Sequence, residues 1–232
     1  MQMAQAIALP RSPRPACFGE FLKSCFSLPA TRTTVRRLEA REVLFWWGDT
    51  SDDRLYLIVD GCVKTLVNSR RGKECLLGIY TRHDIVGESC LLGEERTETA
   101  MAMVPTSLVQ IRRTQFLEHL SDHELRAEWL RYLTARLQEQ QEVIAAMVTA
   151  DSEQRLAATL LRLARKLGRP QAGRLHIDQR ITQEELADMV GTTRSRVGLF
   201  LKRFRREGLI DLSPGSRLIV QEERLQAYVA SV

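Results

Sequence analysis

Between about residues 35 and 116 the apolar positions come in short runs: 43–47, 55–59, 62–67, 75–80 and 108–111. Turn formers separate them, among them Gly48-Asp49, Asp60-Gly61, the stretch 68–72 and Gly93-Glu94. Short, evenly spaced apolar runs with that punctuation predict an all-β barrel or jelly roll. The period then changes. Residues 122–148 contain neither Gly nor Pro, and Leu130, Leu133, Leu137, Gln140, Ile144 and Met147 follow a 3-4-3-4-3 spacing. That is a coiled-coil seam on a helix about 40 Å long at 1.5 Å per residue. An isolated apolar stripe with polar flanks predicts a homodimer through Leu130, Leu133, Leu137, Ile144 and Met147.

Thr149-Ala150-Asp151 interrupts the stripe, with Asp151 or Ser152 as the N-cap of a further helix. Leu156, Leu160, Leu161, Leu163 and Leu167 give that helix an apolar face, and Gly168-x-Pro170 ends it. Thr182-Gln183-Glu184-Glu185 reads as a capping box opening a short helix that buries Leu186, Ala187 and Val190. Gly191 supplies a tight left-handed turn, and Thr192 or Thr193 caps a second helix with Val197, Leu201 and Phe204 on its inner face. Two short helices about a glycine turn form a helix-turn-helix unit. Apolar runs 209–212 and 217–220 about Ser213-Pro214-Gly215-Ser216 predict a β-hairpin wing.

The charge balance sharpens this. Residues 1–150 carry 19 basic and 19 acidic side chains, residues 151–232 carry 15 and 10, so the whole net charge of +5 lies in the last third. Six basic residues and no acidic one fall between Gly191 and Arg206, the electrostatic footprint of a polyanion-binding face. The second helix presents Arg194, Ser195 and Leu199 outward, near the end that reaches base edges in a major groove. Arg194 suits a guanine edge, Ser195 is permissive, and Leu199 suits a thymine methyl. Arg196, Lys202, Arg203 and Arg206 suit phosphates, which supply affinity without reading sequence. Thr182, Gln183 and Thr193 complete the candidate DNA-facing set on palindromic double-stranded DNA.

The remaining composition mostly excludes. With 232 residues and 44% hydrophobic positions the chain can bury a core. No apolar run approaches the roughly 20 residues of a membrane span, and residues 1–15 lack the apolar stretch of a secretory signal, so a cytoplasmic protein is expected. Five cysteines, at 17, 25, 62, 75 and 90, show no metal-ligand or disulfide spacing. Cys62, Cys75 and Cys90 sit in strand-like runs as core residues. No catalytic Ser/His/Asp, metal or glycine-rich phosphate-transfer motif is present, so no enzyme is expected.

Over roughly residues 30–228 the chain resembles the cyclic-AMP receptor/fumarate-nitrate regulator (CRP/FNR) superfamily. The resemblance is carried by residues 55–63 as a strand-Gly-strand signature, Asp84-Ile85-Val86-Gly87-Glu88 and Arg96-Thr97 as the two ends of a phosphate-binding cassette, and Val190-Gly191-Thr192-Thr193-Arg194 in the helix-turn-helix. It implies an α+β protein: an N-terminal extension (1–30), a β jelly-roll effector domain (31–120), a dimerisation helix with hinge (121–150) and a winged helix-turn-helix domain (151–232). It implies a homodimeric transcription regulator that also meets RNA polymerase. The effector implied is cyclic AMP or cyclic GMP, with Glu88 on the ribose hydroxyl, Arg96 and Thr97 on the cyclic phosphate, and Gly87 admitting the ligand to the backbone. Gln140 and Gln141 occupy the helix positions that would meet the base. On that assignment Arg96→Ala removes nucleotide binding and spares the fold. Glu98 stands where nucleotide-binding members carry a small residue, the loop from Glu88 to Arg96 is about two residues shorter, and Ser195 and Leu199 replace a usual Glu and Arg. An effector-independent regulator with a vestigial pocket is the alternative. Cys17 and Cys25 alone do not make the N-terminal cysteine cluster of the oxygen-sensing branch, and His83, His119, His123 and His176 show no pairing that demands haem.

Overall fold

The computed structural model describes residues 18, 19, 22, 34–68, 74–93, 95–213 and 217–230. Cys17, Cys25, most of the 1–30 extension and the Pro214-Gly215 turn lie outside the described residues. The first half forms eight strands: β1 (Thr34–Leu38), β2 (Val43–Phe45), β3 (Arg54–Asp60), β4 (Cys62–Asn68), β5 (Glu74–Thr81), β6 (Ile85–Val86), β7 (Thr99–Ala102) and β8 (Thr106–Arg112). They pair antiparallel into two four-stranded sheets, ordered β1-β8-β3-β6 and β2-β7-β4-β5. This is the jelly roll that the short-run pattern predicts.

The chain crosses between the sheets at Gly61, whose φ of +93° is open to glycine. A Cβ there would stand 2.5 Å from Thr106 Oγ1 and 2.7 Å from Pro105 O. One core between the sheets gathers Leu44, Phe45, Tyr56, Ile58, Val63 and Leu108.

Helix α1 (Arg113–His119) leads into α2 (His123–Thr149), whose first turn is capped by Asp122 accepting from the Leu125 amide at 2.9 Å. Leu125, Trp129 and Tyr132 of α2 are buried against the barrel with Phe18 and Leu22. Phe18 stacks on Tyr132 at 5.0 Å and tilts against Trp129 at 5.5 Å, so part of the N-terminal extension belongs to this core. Leu133, expected on the seam, packs in part against the same cluster. Leu130, Leu137, Ile144 and Met147 remain exposed. Cys62 and Cys90 are buried, whereas Cys75 is only half-buried, a departure from its assignment to the core.

The last third holds α3 (Ser152–Leu167), β9 (Arg169–Gln171), β10 (Arg174–His176), α4 (Gln183–Val190), α5 (Arg194–Arg206), β11 (Ile210–Ser213), β12 (Arg217–Val220) and α6 (Glu222–Ala230). Asp151 caps α3 in a full capping box with Gln154, and Thr182 caps α4 in another with Glu185. The wing is larger than the predicted hairpin: β11 and β12 are joined by β10 and β9 into one four-stranded sheet. Pro170 sits on the edge strand β9, where a missing amide costs no ladder bond. The core of this domain runs on into the barrel, because Cys62, Leu66, Leu76 and Ile79 share a cluster with Leu160, Leu186 and Met189. Lys64 on β4 pairs with Glu185 on α4 at 2.8 Å, and Lys166 on α3 pairs with Asp84 at 3.0 Å.

Candidate DNA interface and effector pocket

Helix α4 ends on Gly191 in the left-handed conformation at φ +63°. Thr193 then caps α5 by accepting from the Arg196 amide. A Cβ on Gly198 would stand 3.1 Å from Gln183 Oε1, so a glycine there lets the two helices close together. Val197, Phe200, Leu201 and Phe204 turn inward, and the opposite face is left clear of the barrel. Arg194, Ser195, Arg196, Leu199 and Lys202 are all exposed, as are Thr182, Gln183 and Thr193. Leu199 is a large apolar side chain left 64% exposed.

Arg203 departs from the expectation. Its guanidinium donates to Glu207 at 2.9 Å and to Glu153 on α3 at 3.1 Å. It follows Arg194 by nine residues, about two and a half turns, and so lies on the other flank of the helix. Arg206 is instead grouped with Arg174, Lys202, Arg205 and Arg224 around a cleft of about 470 Å³ between α5, the wing and α6. Among the described residues only one carboxylate, Asp211, lines that cleft, 3.8 Å from Arg205. The positive surface therefore continues past the recognition helix, suited to phosphates rather than to base edges.

The second site lies in the barrel. Gly87, at φ +84°, precedes a 3-10 turn, Glu88–Leu92. The glycine makes room for a protein group: a Cβ would stand 2.8 Å from Arg96 Nη1 and 3.2 Å from Arg54 O. Arg96 is fully buried and its guanidinium donates to Gly87 O at 2.5 Å, Arg54 O at 2.6 Å and Asp52 Oδ2 at 2.7 Å. It also stacks on Phe45 at 4.2 Å. This corrects the sequence reading of Arg96 as a cation facing phosphate. Here it braces the barrel, so Arg96→Ala would not spare the fold.

The cation beside Glu88 is one that the sequence reading missed. Arg136 on α2 pairs with Glu88, donates to Tyr80 Oη at 2.7 Å and covers the Tyr80 ring at 4.9 Å. Burial pulls its pKa down, but Glu88, Tyr132 and Tyr80 outweigh that and hold it above the usual arginine range. Arg136 continues the inward stripe Leu125-Trp129-Tyr132 at the next four-residue step, the one sequence signal that pointed to it. Glu98 stands in the same neighbourhood, its pKa pushed up to about 7 by burial and then by Glu88. The buried Thr65 hydroxyl reaches towards Tyr80 and Glu98 without a well-formed hydrogen bond. Thr97 is exposed beside them. Gln140 and Gln141 are also exposed, about one turn beyond Arg136, and this chain does not fold them into the pocket.

No helix among the described residues is long and apolar enough to cross a membrane, and no metal-binding cluster is found among them. Residues 35–123 match the cyclic nucleotide-binding domain family, and residues 154–228 the Crp-like helix-turn-helix domain family. The chain is 34% identical over 175 residues to the CRP-like cAMP-activated global transcriptional regulator of Mycobacterium tuberculosis, covering 75% of this chain and 78% of that one. It is 28% identical over 196 residues to the cAMP-activated global transcriptional regulator CRP of Salmonella typhimurium, covering 82% and 90%. Among solved structures, a CRP/FNR-family transcriptional regulator of Thermus thermophilus superposes with a TM-score of 0.70 at 24% identity, covering 86% and 99%. Barrel, long helix, winged domain and these relatives agree: the chain belongs to the CRP/FNR family of DNA-binding transcription regulators.

Proposed function

We propose that this regulator acts as a homodimer on a palindromic operator, gated by a small effector in the barrel. The observation that carries the DNA reading is the clear outer face of α5, with Arg194, Ser195, Leu199 and Lys202 exposed together beside the cationic cleft. Arg194 reads a base, while Lys202 and Arg206 hold phosphates. The exposed seam of Leu130, Leu137, Ile144 and Met147 supports dimerisation through α2.

Tyr80 supports the gating. On one side it receives Arg136 of the pocket, and on the other the Lys166 ammonium of α3 lies 5.1 Å from its ring. An effector that displaces Arg136 from Glu88 therefore reaches the DNA-binding domain through one shared side chain. Two relatives described as cAMP-activated make a cyclic nucleotide the leading effector. Glu88, Thr97 and Arg136 would meet it here, with Arg136 supplying the cation that Arg96 does not. Gln140 and Gln141, on the exposed side of α2, would approach the base from the partner protomer. RNA polymerase is the further partner this reading expects in the cytoplasm.

The test is fluorescence anisotropy on operator DNA with and without cyclic AMP or cyclic GMP. A gating nucleotide tightens DNA binding, and DNA tightens nucleotide binding by the same factor. Equal DNA affinity at millimolar nucleotide favours the effector-independent alternative.

A further inference from the structure

Basic side chains from three elements converge at the C-terminal end of α5. Lys202, Arg205 and Arg206 come from α5 itself, Arg174 from β10 and Arg224 from α6, around the cleft of about 470 Å³. All five are exposed. Gly208, at φ +67°, admits Arg224: a Cβ there would stand 2.8 Å from Arg224 Nη1, which donates to Gly208 O at 3.3 Å. A cation on the last carbonyls of a helix is ordinary and needs no ligand. Five around one cleft exceed that need. Asp211, the one carboxylate lining the cleft among the described residues, already accepts from the Leu212 amide at 2.8 Å. Pro214, Gly215 and Ser216 of the wing turn carry no charge.

The position of the cleft selects its occupant. Lys202 lies both in the cleft and on the exposed face of α5 that carries Arg194, so the cleft continues the DNA face. Helix α5 has 13 residues, about 20 Å at 1.5 Å per residue. The major groove is only about 12 Å wide. With Arg194 on base edges, a straight helix of that length carries its last turn out to the sugar-phosphate wall. Arg174 and Arg224 stand beside that last turn, on elements outside the helix-turn-helix. Guanidinium groups match phosphate oxygens with paired N–H donors, and an open cleft admits a continuous strand.

We propose that this cleft clamps the DNA backbone next to the bases that α5 reads, with Arg174 and Arg224 as phosphate contacts from beyond the helix-turn-helix. The proposal rests on the DNA reading above and extends its footprint.

The experiment is a phosphate-neutralisation scan with the full chain on its selected operator. Duplexes of equal length carry neutral methylphosphonate linkages in successive blocks of three, and anisotropy measures affinity for wild type and for Arg174→Ala/Arg224→Ala. One block in each half-site should weaken wild type and leave the double variant unaffected, while the remaining blocks affect both proteins alike. On the unmodified operator the double variant should keep the same base preferences. Its salt slope should be shallower by about two units per half-site, one for each arginine. Equal sensitivity of both proteins to every block, or a wild-type salt slope in the variant, overturns the proposal alone. Tripolyphosphate that binds wild type, but not the variant, with operator saturating would make the cleft a small-anion site and overturn it too. Failure of wild type to prefer any duplex overturns the DNA reading and the proposal with it. Should the double variant fail to fold, Arg174→Ala alone carries the same comparison, because no ion pair among the described residues holds that side chain.

Discussion

Arg96 and Gly87 show how a motif residue can be right in identity and different in use. The guanidinium satisfies two backbone carbonyls and Asp52 inside the barrel. Removing one partner of a buried ion pair costs about 3–5 kcal/mol, so Arg96→Ala should unfold at markedly lower denaturant, whatever it does to ligand binding. Gly87→Ala places a Cβ against that guanidinium at positive φ, and should lose about 1–3 kcal/mol. Chemical denaturation measures both, and wild-type midpoints would show that Arg96 is free to face a ligand. At the DNA face, Arg203→Ala should change operator affinity far less than Lys202→Ala, because Glu153 and Glu207 already hold Arg203. Its position on the opposite flank was readable from helical periodicity. Its pairing with Glu207, four residues on, was within reach of the same argument, but Glu153 was not, because it lies fifty residues away in sequence.

At the level of elements, α2 carries two stripes where the sequence pattern displayed one. The inward stripe, Leu125, Trp129, Tyr132 and Arg136, mixes aromatic, polar and cationic side chains, so it does not read as a simple apolar face. The outward stripe of Leu130, Leu137 and Ile144 is more regular and dominated the reading. Leu133 lies between the two and leans towards the barrel. The double variant Leu137→Asp/Ile144→Asp should sediment as a 26.5 kDa monomer with an intact barrel and weakened operator binding. A dimer of unchanged strength would place the interface elsewhere. Caps were the most legible local features: Asp151, Thr182 and Thr193 all accept from helix-start amides, whereas the Asp122 cap of α2 emerged only with the structure. The strand pair β9 and β10 was not legible, since three residues around Pro170 carry no alternation of their own.

For the whole molecule, the barrel and the DNA-binding domain share a core and two ion pairs, which the sequence could not show because they join residues up to 121 apart. Lys166→Ala removes the contact between α3 and both Asp84 and Tyr80. It should leave nucleotide affinity in the absence of DNA nearly unchanged while the factor by which nucleotide tightens DNA falls towards one. An unaltered factor would remove Tyr80 from the route. Stability should also register Glu98. Its folded pKa is raised, so its favourable contribution is complete below the ordinary glutamate value of 4.5 and fades as pH rises through about 7. Thermal unfolding of Glu98→Gln should lack that decline. The organisation itself was legible, from short strands to long helix to a basic helix-turn-helix, because each has its own hydrophobic period.

The reading of DNA by the outer face of α5 is tested most directly by binding to a duplex selected from a random pool, followed by a base-substitution series. The selected site should be a palindrome with half-site centres about one helical turn, 10 base pairs, apart. Arg194→Ala should erase preference at one base pair in each half-site, a loss of about 1–3 kcal/mol confined to that position. Lys202→Ala should weaken every sequence alike and shallow the salt dependence by about one unit. Selection of no palindrome, or parallel losses for both variants across the whole series, would contradict the assignment of base reading to this face.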